Sequence, residues 1–461
     1  MAADLTLHEQ VAQWVRDATG PAPGKLSVLC PEGSQRNLFP ITQAFTAMTG
    51  VEIDLRSIAS HSLTARIALE VIAGEGSFDV ALPATYGLPD LVSSDVILPL
   101  DDFVDAYEPA GFREGSIYRL GDTVDQKTYG FQADGDAYIM FYLKEVLQDP
   151  VEQARYADTY GTALDVPQTW EELDRQMAWF HRPDEGLFGG LLLRTPDYVA
   201  WEFWMRLHGY GMWPFSEDME CQINTPEGHV ALADMRRSAE HLHPGTGSFT
   251  FVENWEAFLR GQTYCNIGWG GAQKSFNEKG AALRGRLTYG APPGGPLGPG
   301  GAPVSIPYFN WGWSFVVNRA SSRPRIGYLF SLFASTPEMS TRSVREAGGF
   351  FDPNRPEHYA DSKIREVYSP EFLTVHKASL EQAIPDLYLH GHSEYFRVLN
   401  DALFAVLSGE TDPRGALDRT AQLWEMITSR YGRARQITRW RQLRARYPAN
   451  IARVLRDAKS T

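Results

Sequence analysis

Aspartates 134 and 136 flank Gly135 in QADGDAY, and a third, Asp352, sits in GGFFDPNRPEHY. Two carboxylates can divide acid and base roles across a glycosidic bond, but only when held a defined distance apart, and nothing in the sequence identifies such a pair. His390, His392 and Glu394 in LHGHSEYF invite a metal reading, yet the further ligands and the groups that would orient them are not evident. No G-x-S-x-G elbow, P-loop or dinucleotide fingerprint occurs. The distinctive supply is aromatic. Trp269 precedes Gly270 and Gly271, and Trp311 and Trp313 enclose Gly312 after the glycine- and proline-rich YGAPPGGPLGPGGAPVSIPYF. Trp201, Phe203 and Trp204 share YVAWEFWMRL. A ring followed by glycines is a stacking face beside backbone that a ligand can approach closely. These features favour binding over catalysis, and neither a cofactor nor a metal is expected.

The elements around these residues alternate. LSVLC reads as a buried strand, PEGSQRN as a polar loop, and Phe39, Ile41, Phe45 and Met48 recur at helical spacing. VEIDLRSIA is a second strand, SLTARIALEVIAG a helix and FDVALPA a third strand. Strands alternating with helices and ending in polar loops imply a parallel, doubly wound sheet, whose ligands sit beyond the carboxyl ends of the strands. A second α/β unit follows from about residue 135. TWEELDRQMAWF starts a helix, with Thr169 as N-cap and Glu172 closing a capping box. EGLFGGLLL and TYCNIGWGG read as strands, the second ending on Trp269. The lead segment from Leu5 to Ala18 is an amphipathic helix. In the arginine-rich tail, Ile437, Trp440, Leu443, Tyr447, Ile451 and Leu455 are spaced for one helical face. The opposite side of that tail is either a solvated basic face or a docking surface for a partner.

The chain has 461 residues, which implies roughly two to four domains; two is the working expectation. With 43% hydrophobic and 12% aromatic residues the composition is that of an ordered globular protein. A formal charge of -14 argues against a nucleic-acid partner, which would require a broad surplus of Lys and Arg. Cys30, Cys221 and Cys265 lie far apart and form no zinc pattern. No apolar run approaches the ~20 residues of a membrane span, and the first residues lack the apolar core of a signal peptide.

These segments, in order, resemble the extracytoplasmic solute-binding proteins of ABC importers, family 1, the maltose-binding type. The resemblance rests on FPITQAFTAMTGVEIDL, GSFDVALPATYGLPDLV, ILPLDDFV, QADGDAYIMFYLKEVL, PQTWEELDRQM, FLRGQTYCNIGWGGA, GWSFVVNRASSRP and LFAVLSGETDPRGALD, and covers most of the chain. It implies a type II periplasmic-binding-protein fold: two α/β lobes, each a doubly wound sheet with flanking helices, closing by a hinge over a ligand. One lobe would comprise residues 1–131 and 308–380, the other 132–307 and 381–461. The implied function is capture of a carbohydrate or related polyhydroxylated solute for membrane permease subunits, by a non-enzymatic monomer in the periplasm or at the outer face of the cytoplasmic membrane. The alternatives are a polyamine, peptide or phosphorylated polyol as cargo, or a glycoside-active hydrolase using Asp134 and Asp352.

Sugar recognition needs aromatic faces for C–H surfaces and planar polar groups for hydroxyls. Candidates at predicted strand ends are Gly33, Gln35 and Arg36, which otherwise cap a helix; His61, between Ser60 and Ser62; and Thr85 with Tyr86. Asp134 and Asp136 are alternatively a hinge turn. Trp204 is a candidate that core packing would also explain. Trp269, Gly270 and Gly271 match the family motif where a strand ends at the cleft. Phe351, Asp352 and Arg355 occupy the family's loop over it, and Arg36 with Arg355 would favour an acidic sugar. Asn310, Trp311 and Gly312 complete the set. Trp311 stands where the family more often has a glycine, so it is expected to stack on ligand beside Asn310, while Trp313 packs.

Overall fold

The computed structural model describes residues 5–74 and 78–458. The chain divides into two compact units, Met1–Asp136 with Trp311–Ser369 and Ala137–Asn310 with Pro370–Thr461, so it passes from one to the other three times.

In the first unit the LSVLC run forms the strand Lys25–Pro31, whose side chains are buried from Val28 onward. It pairs in parallel with Glu52–Ile58 on one side and Val80–Ala81 on the other, Val28 lying opposite both Leu55 and Val80. Ser314–Val317 then adds antiparallel to Val80–Ala81, and Gly130–Gln132 closes the five-stranded sheet antiparallel to Ser314–Val317. The parallel reading therefore holds for the first three strands only. Ser314–Val317 enters from the other unit, without the helical crossover that a parallel neighbour needs, and runs the opposite way. This order places the carboxyl ends of four strands, and the start of Ser314–Val317, on one edge of the sheet.

Helix Gln35–Thr49 buries Leu38, Ile41 and Phe45, as the helical spacing requires. Phe45 meets Phe330 and Phe333 of helix Pro324–Ala334 edge-on at 5.1 and 5.2 Å. The lead segment is the helix Leu7–Thr19, which packs Val11, Ala12 and Val15 inward.

The second unit holds a four-stranded sheet in the order Leu287–Gly290, Ile139–Leu143, Thr263–Gly268, Phe188–Leu191. Only the last pair is parallel. Helix Trp170–Phe180 starts at Thr169 with the capping box to Glu172 that the sequence predicts. Buried charges hold neighbouring helices in register: Arg206, with no exposed surface, donates to Asp174 at 2.6 and 2.8 Å and to Glu202 at 2.8 Å, while Arg194 donates to Glu202 at 2.7 Å. The Arg206 guanidinium also lies 4.2 Å from the Trp170 ring.

The arginine-rich tail is two helices, Arg433–Arg444 and Ala449–Ala452, because Pro448 interrupts the expected single one. Its apolar residues Trp440, Leu443, Tyr447, Ile451 and Leu455 are buried. Trp440 donates its indole N–H to the Ser216 carbonyl at 2.9 Å, and Arg444 covers the Trp213 ring at 4.2 Å. Arg433, Arg441, Arg444 and Arg456 pair with Glu425, Asp218, Asp457 and Glu227, so much of the tail's charge fastens the C-terminus to its own unit.

Candidate functional site

The first unit gathers most of the sequence-predicted residues at one sheet edge. Gly33 turns the chain after the first strand at φ +92°, and helix Gln35–Thr49 begins at Gln35 with Arg36 exposed beside it. Thr85 and Tyr86 follow the Val80–Ala81 strand, and the chain returning into Ser314–Val317 runs alongside them. The Thr85 amide donates to the Gly312 carbonyl at 3.1 Å, and its hydroxyl donates to the Trp311 carbonyl. Tyr86 faces the Trp311 ring edge-on at 6.2 Å, and the rings of Trp311 and Trp313 are 5.6 Å apart. Gly312, at φ +68°, allows this bend between two tryptophans. Trp311 and Trp313 are both buried, so exposure does not separate a site ring from a packing ring here.

Beneath them lie three buried carboxylates. Asp134, Asp136 and Asp352 each bring an oxygen within 4.8 Å of the others. The Asp352 amide donates to Asp134 Oδ1 at 2.7 Å, the Gly312 amide to Asp136 Oδ2 at 3.1 Å, and the Tyr368 hydroxyl to Asp352 Oδ1 at 2.9 Å. Gly135 has no alternative: a Cβ there would lie 2.2 Å from the Pro353 carbonyl oxygen. Burial, then the charges of Asp134 and Asp352, push the Asp136 carboxyl well above the usual carboxylate range; the Gly312 N–H pulls the other way. Donors from backbone and tyrosine already occupy one oxygen of each carboxylate, which makes the cluster a hydrogen-bonded network. The Asp134–Asp352 pair that the hydrolase reading invoked is joined through the Asp352 amide.

Phe351 and Arg355 come from the same loop as Asp352. The Phe351 amide donates to Asn37 Oδ1 at 3.2 Å. Arg355 is buried over Phe112 and lies 3.8 Å from Glu357, while Arg36 lies against Gly348, so each arginine has its own surroundings. The His61 side chain lies outside the described residues.

In the second unit Trp269 ends the Thr263–Gly268 strand and caps the helix Gly270–Phe276, which buries Gly270 and Gly271 in its first turn. Its indole N–H donates to Asn310 Oδ1 at 2.9 Å. Around it stand Tyr138 at 4.8 Å, Trp201 at 5.9 Å, Phe251 at 6.2 Å and Trp255 at 6.4 Å, and Tyr198 stacks on Trp201 at 5.4 Å. Burial holds the Tyr138 phenol well above its usual range, with the Asn310 side chain acting against it. Trp204, by contrast, is a core residue: it has no exposed surface and packs on His208 and Phe396 at 5.1 and 5.6 Å. Sequence reasoning missed Tyr138, Tyr198, Phe251 and Trp255 here and Tyr368 in the first unit. For Tyr138 a signal existed, since it lies two residues after Asp136 at the start of a strand.

His390, His392 and Glu394 do not converge. His392 Nε2 lies 3.1 Å from Asp386, which also accepts from the Tyr308 hydroxyl at 2.8 Å, while Glu394 accepts from Tyr431 at 2.8 Å. No helix among the described residues is long and apolar enough to cross a membrane.

Comparison with known proteins agrees with this architecture. No curated protein matches the sequence. Among solved structures, maltose-bound MalE3 of T. maritima is 19% identical with a TM-score of 0.74, over 88% of this chain and 100% of that one. An ABC-transporter solute-binding protein of Agrobacterium radiobacter K84, in complex with ribitol, is 17% identical with a TM-score of 0.73, over 87% and 98% of the two chains. The sugar-binding protein MalE of Xanthomonas citri is 14% identical with a TM-score of 0.66, over 92% and 100%. At these identities the likeness establishes the two-lobe α/β fold of periplasmic binding proteins. A profile of the bacterial extracellular solute-binding proteins matches residues 41–367, more than half of the chain, and the chain belongs to that family.

Proposed function

We propose that this protein captures a carbohydrate or polyol and delivers it to the permease subunits of an ABC importer, acting as a monomer at the outer face of the cytoplasmic membrane or in the periplasm. The observation that carries the reading is the Trp269 cluster: an indole at a strand's carboxyl end, among four further aromatic rings, with its N–H on an amide side chain. Rings cover the C–H faces of a sugar and amides satisfy its hydroxyls. Two similar structures carry maltose and ribitol, ligands that share this chemistry. The faces that take part are the strand-end residues of each unit. In the first these are Gly33, Gln35, Arg36, Thr85, Tyr86, Trp311 and Gly312, with Asp134, Asp136, Phe351, Asp352 and Arg355 behind them. In the second they are Trp269, Gly270, Gly271 and Asn310. The chain crosses between the units three times, and those crossings are where a hinge would lie.

Calorimetry against maltose, maltodextrins, ribitol, mannitol and monosaccharides tests this. A binder with negative heat-capacity change is expected, recovered chemically unchanged from the complex. A panel without any binder removes the carbohydrate and polyol class; turnover of the bound sugar removes the non-enzymatic reading.

A further inference from the structure

The carboxylate cluster lies wholly in the first unit, yet it touches all three places where the chain passes between units. Asp134 and Asp136 are the last residues before the first crossing, which follows Asp136. Gly312, whose amide holds Asp136, is the second residue after the second crossing. Tyr368, whose hydroxyl holds Asp352, is the second residue before the third crossing, which follows Ser369. The Asp352 amide on Asp134 ties the remaining loop to the first segment. A change of backbone angle at any one crossing therefore pulls on the same three carboxyl groups.

The groups facing Asp136 are Asp134 on its own segment, Asp352 and its attached Tyr368 on the other side, and the Gly312 amide. The basic groups of the loop and the helix after it are turned to other partners. Arg355 meets Glu357 and Phe112, and His358 meets the Asn354 amide and Ser340. Asp134, Asp136 and Asp352 also bring carboxyl oxygens within 4.8 Å of one another, out of water. Three buried carboxylates at that separation disfavour full ionisation, so this arrangement holds one proton that the separated groups would give up at neutral pH.

We propose that Asp134, Asp136 and Asp352 form a proton-dependent latch on the three crossing segments, fastened when the cluster holds one proton and loosened when it loses it. The proposal rests on reading those crossings as the hinge, but its test needs no solute. The sign follows from linkage. A carboxyl whose affinity for protons is higher in the fastened arrangement stabilises that arrangement fully below the ordinary carboxylate range. The advantage is lost as pH rises toward its raised value.

The test is amide hydrogen exchange of the solute-free protein at Gly312 and Asp352, corrected for intrinsic exchange, from pH 4 upward. Protection at both amides is expected to fall by up to about tenfold per pH unit, the signature of one released proton. Asp136→Asn mimics the protonated side chain, keeping an acceptor for Gly312, and flattens the profile. Asp352→Asn removes one of the crowding charges while keeping an acceptor for Tyr368, and does the same, which keeps the test available should one variant fold poorly. A flat wild-type profile overturns the latch, as does a slope that survives in both variants. A wild-type profile shifted by calcium and restored by chelator also overturns it, since a cation and not a proton would then hold the cluster.

Discussion

Trp269→Phe isolates the indole N–H, the one polar group that Trp269 adds to its aromatic neighbourhood. The ring system shrinks but stays aromatic, and Asn310 Oδ1, 1% exposed as a residue, loses its donor. A buried acceptor left without a partner costs about 1–3 kcal/mol. The smaller ring leaves a void among Tyr138, Trp201, Phe251 and Trp255 that adds about 1 kcal/mol. The expected loss in urea unfolding is thus about 2–4 kcal/mol. In an Asn310→Ala background no acceptor is stranded, and the same substitution should cost only the void term. The double-mutant cycle therefore predicts a coupling of about 1–3 kcal/mol between residues 41 positions apart in sequence. Additivity to within about 0.5 kcal/mol would refute the claim that this bond fixes the indole. The same variants read the functional proposal separately: Trp269→Phe should weaken solute binding more than Trp204→Phe, because Trp204 is core and Trp269 ends a strand.

His208 is wholly buried in the second unit, with Nδ1 2.7 Å from the Trp204 carbonyl and Nε2 3.2 Å from the Tyr447 hydroxyl, and burial lowers its pKa from 6.5 to about 4. Its contribution to stability is present above pH 6.5 and is lost as pH falls toward 4, about 1.4 kcal/mol per unit and about 3 kcal/mol in all. His208→Gln should flatten that part of the acid-unfolding curve; an unchanged slope would contradict the assignment. Trp440→Ala removes a buried ring from the C-terminal helices and should cost about 3–5 kcal/mol in denaturant titration, whereas a surface-like change below 0.5 kcal/mol would show that the tail is not clamped. Gly135→Ala forces a Cβ to within 2.2 Å of the Pro353 carbonyl and should destabilise the first unit by about 1–3 kcal/mol; a neutral result would mean that the crossing segment moves freely.

What was legible in the sequence was local. The Thr169–Glu172 capping box needs only four consecutive residues, and the strand ending on Trp269 needs only an apolar run and two glycines. The partners of those elements were not legible, because they come from far along the chain. Asp352 meets Asp134 across 218 positions and Thr85 meets Trp311 across 226. Nothing in QADGDAY marks the network that Tyr368 and Gly312 complete. The third crossing shows the same limit. The sequence reading set it near residue 380, whereas the chain changes unit after Ser369, because Phe372 of the next helix stacks on Phe141 of the second sheet at 6.0 Å. Trp204 was left between core and site for a related reason: its helix is buried on every side, so no period in YVAWEFWMRL distinguishes Trp201, beside Trp269, from its neighbours.

The antiparallel entry of Ser314–Val317 has a consequence for how recognition and hinge motion are coupled. A strand arriving by a helical crossover would have brought a loop of its own to the sheet edge. This one arrives straight from a crossing, so residues 311–313 belong both to the proposed ligand face and to the proposed hinge. Thr85 grips that segment twice, through its amide on Gly312 and its hydroxyl on the Trp311 carbonyl, and Asp136 grips it from below through the Gly312 amide. The proposed solute contact at Trp311 and the proposed latch at Asp136 would therefore act on the same peptide. Thr85→Val keeps the amide bond and the shape but removes the hydroxyl's hydrogen bond to the Trp311 carbonyl. If the coupling runs through that peptide, this single change lowers solute affinity and Gly312 protection together, whereas a residue that served only packing would move protection and leave affinity alone.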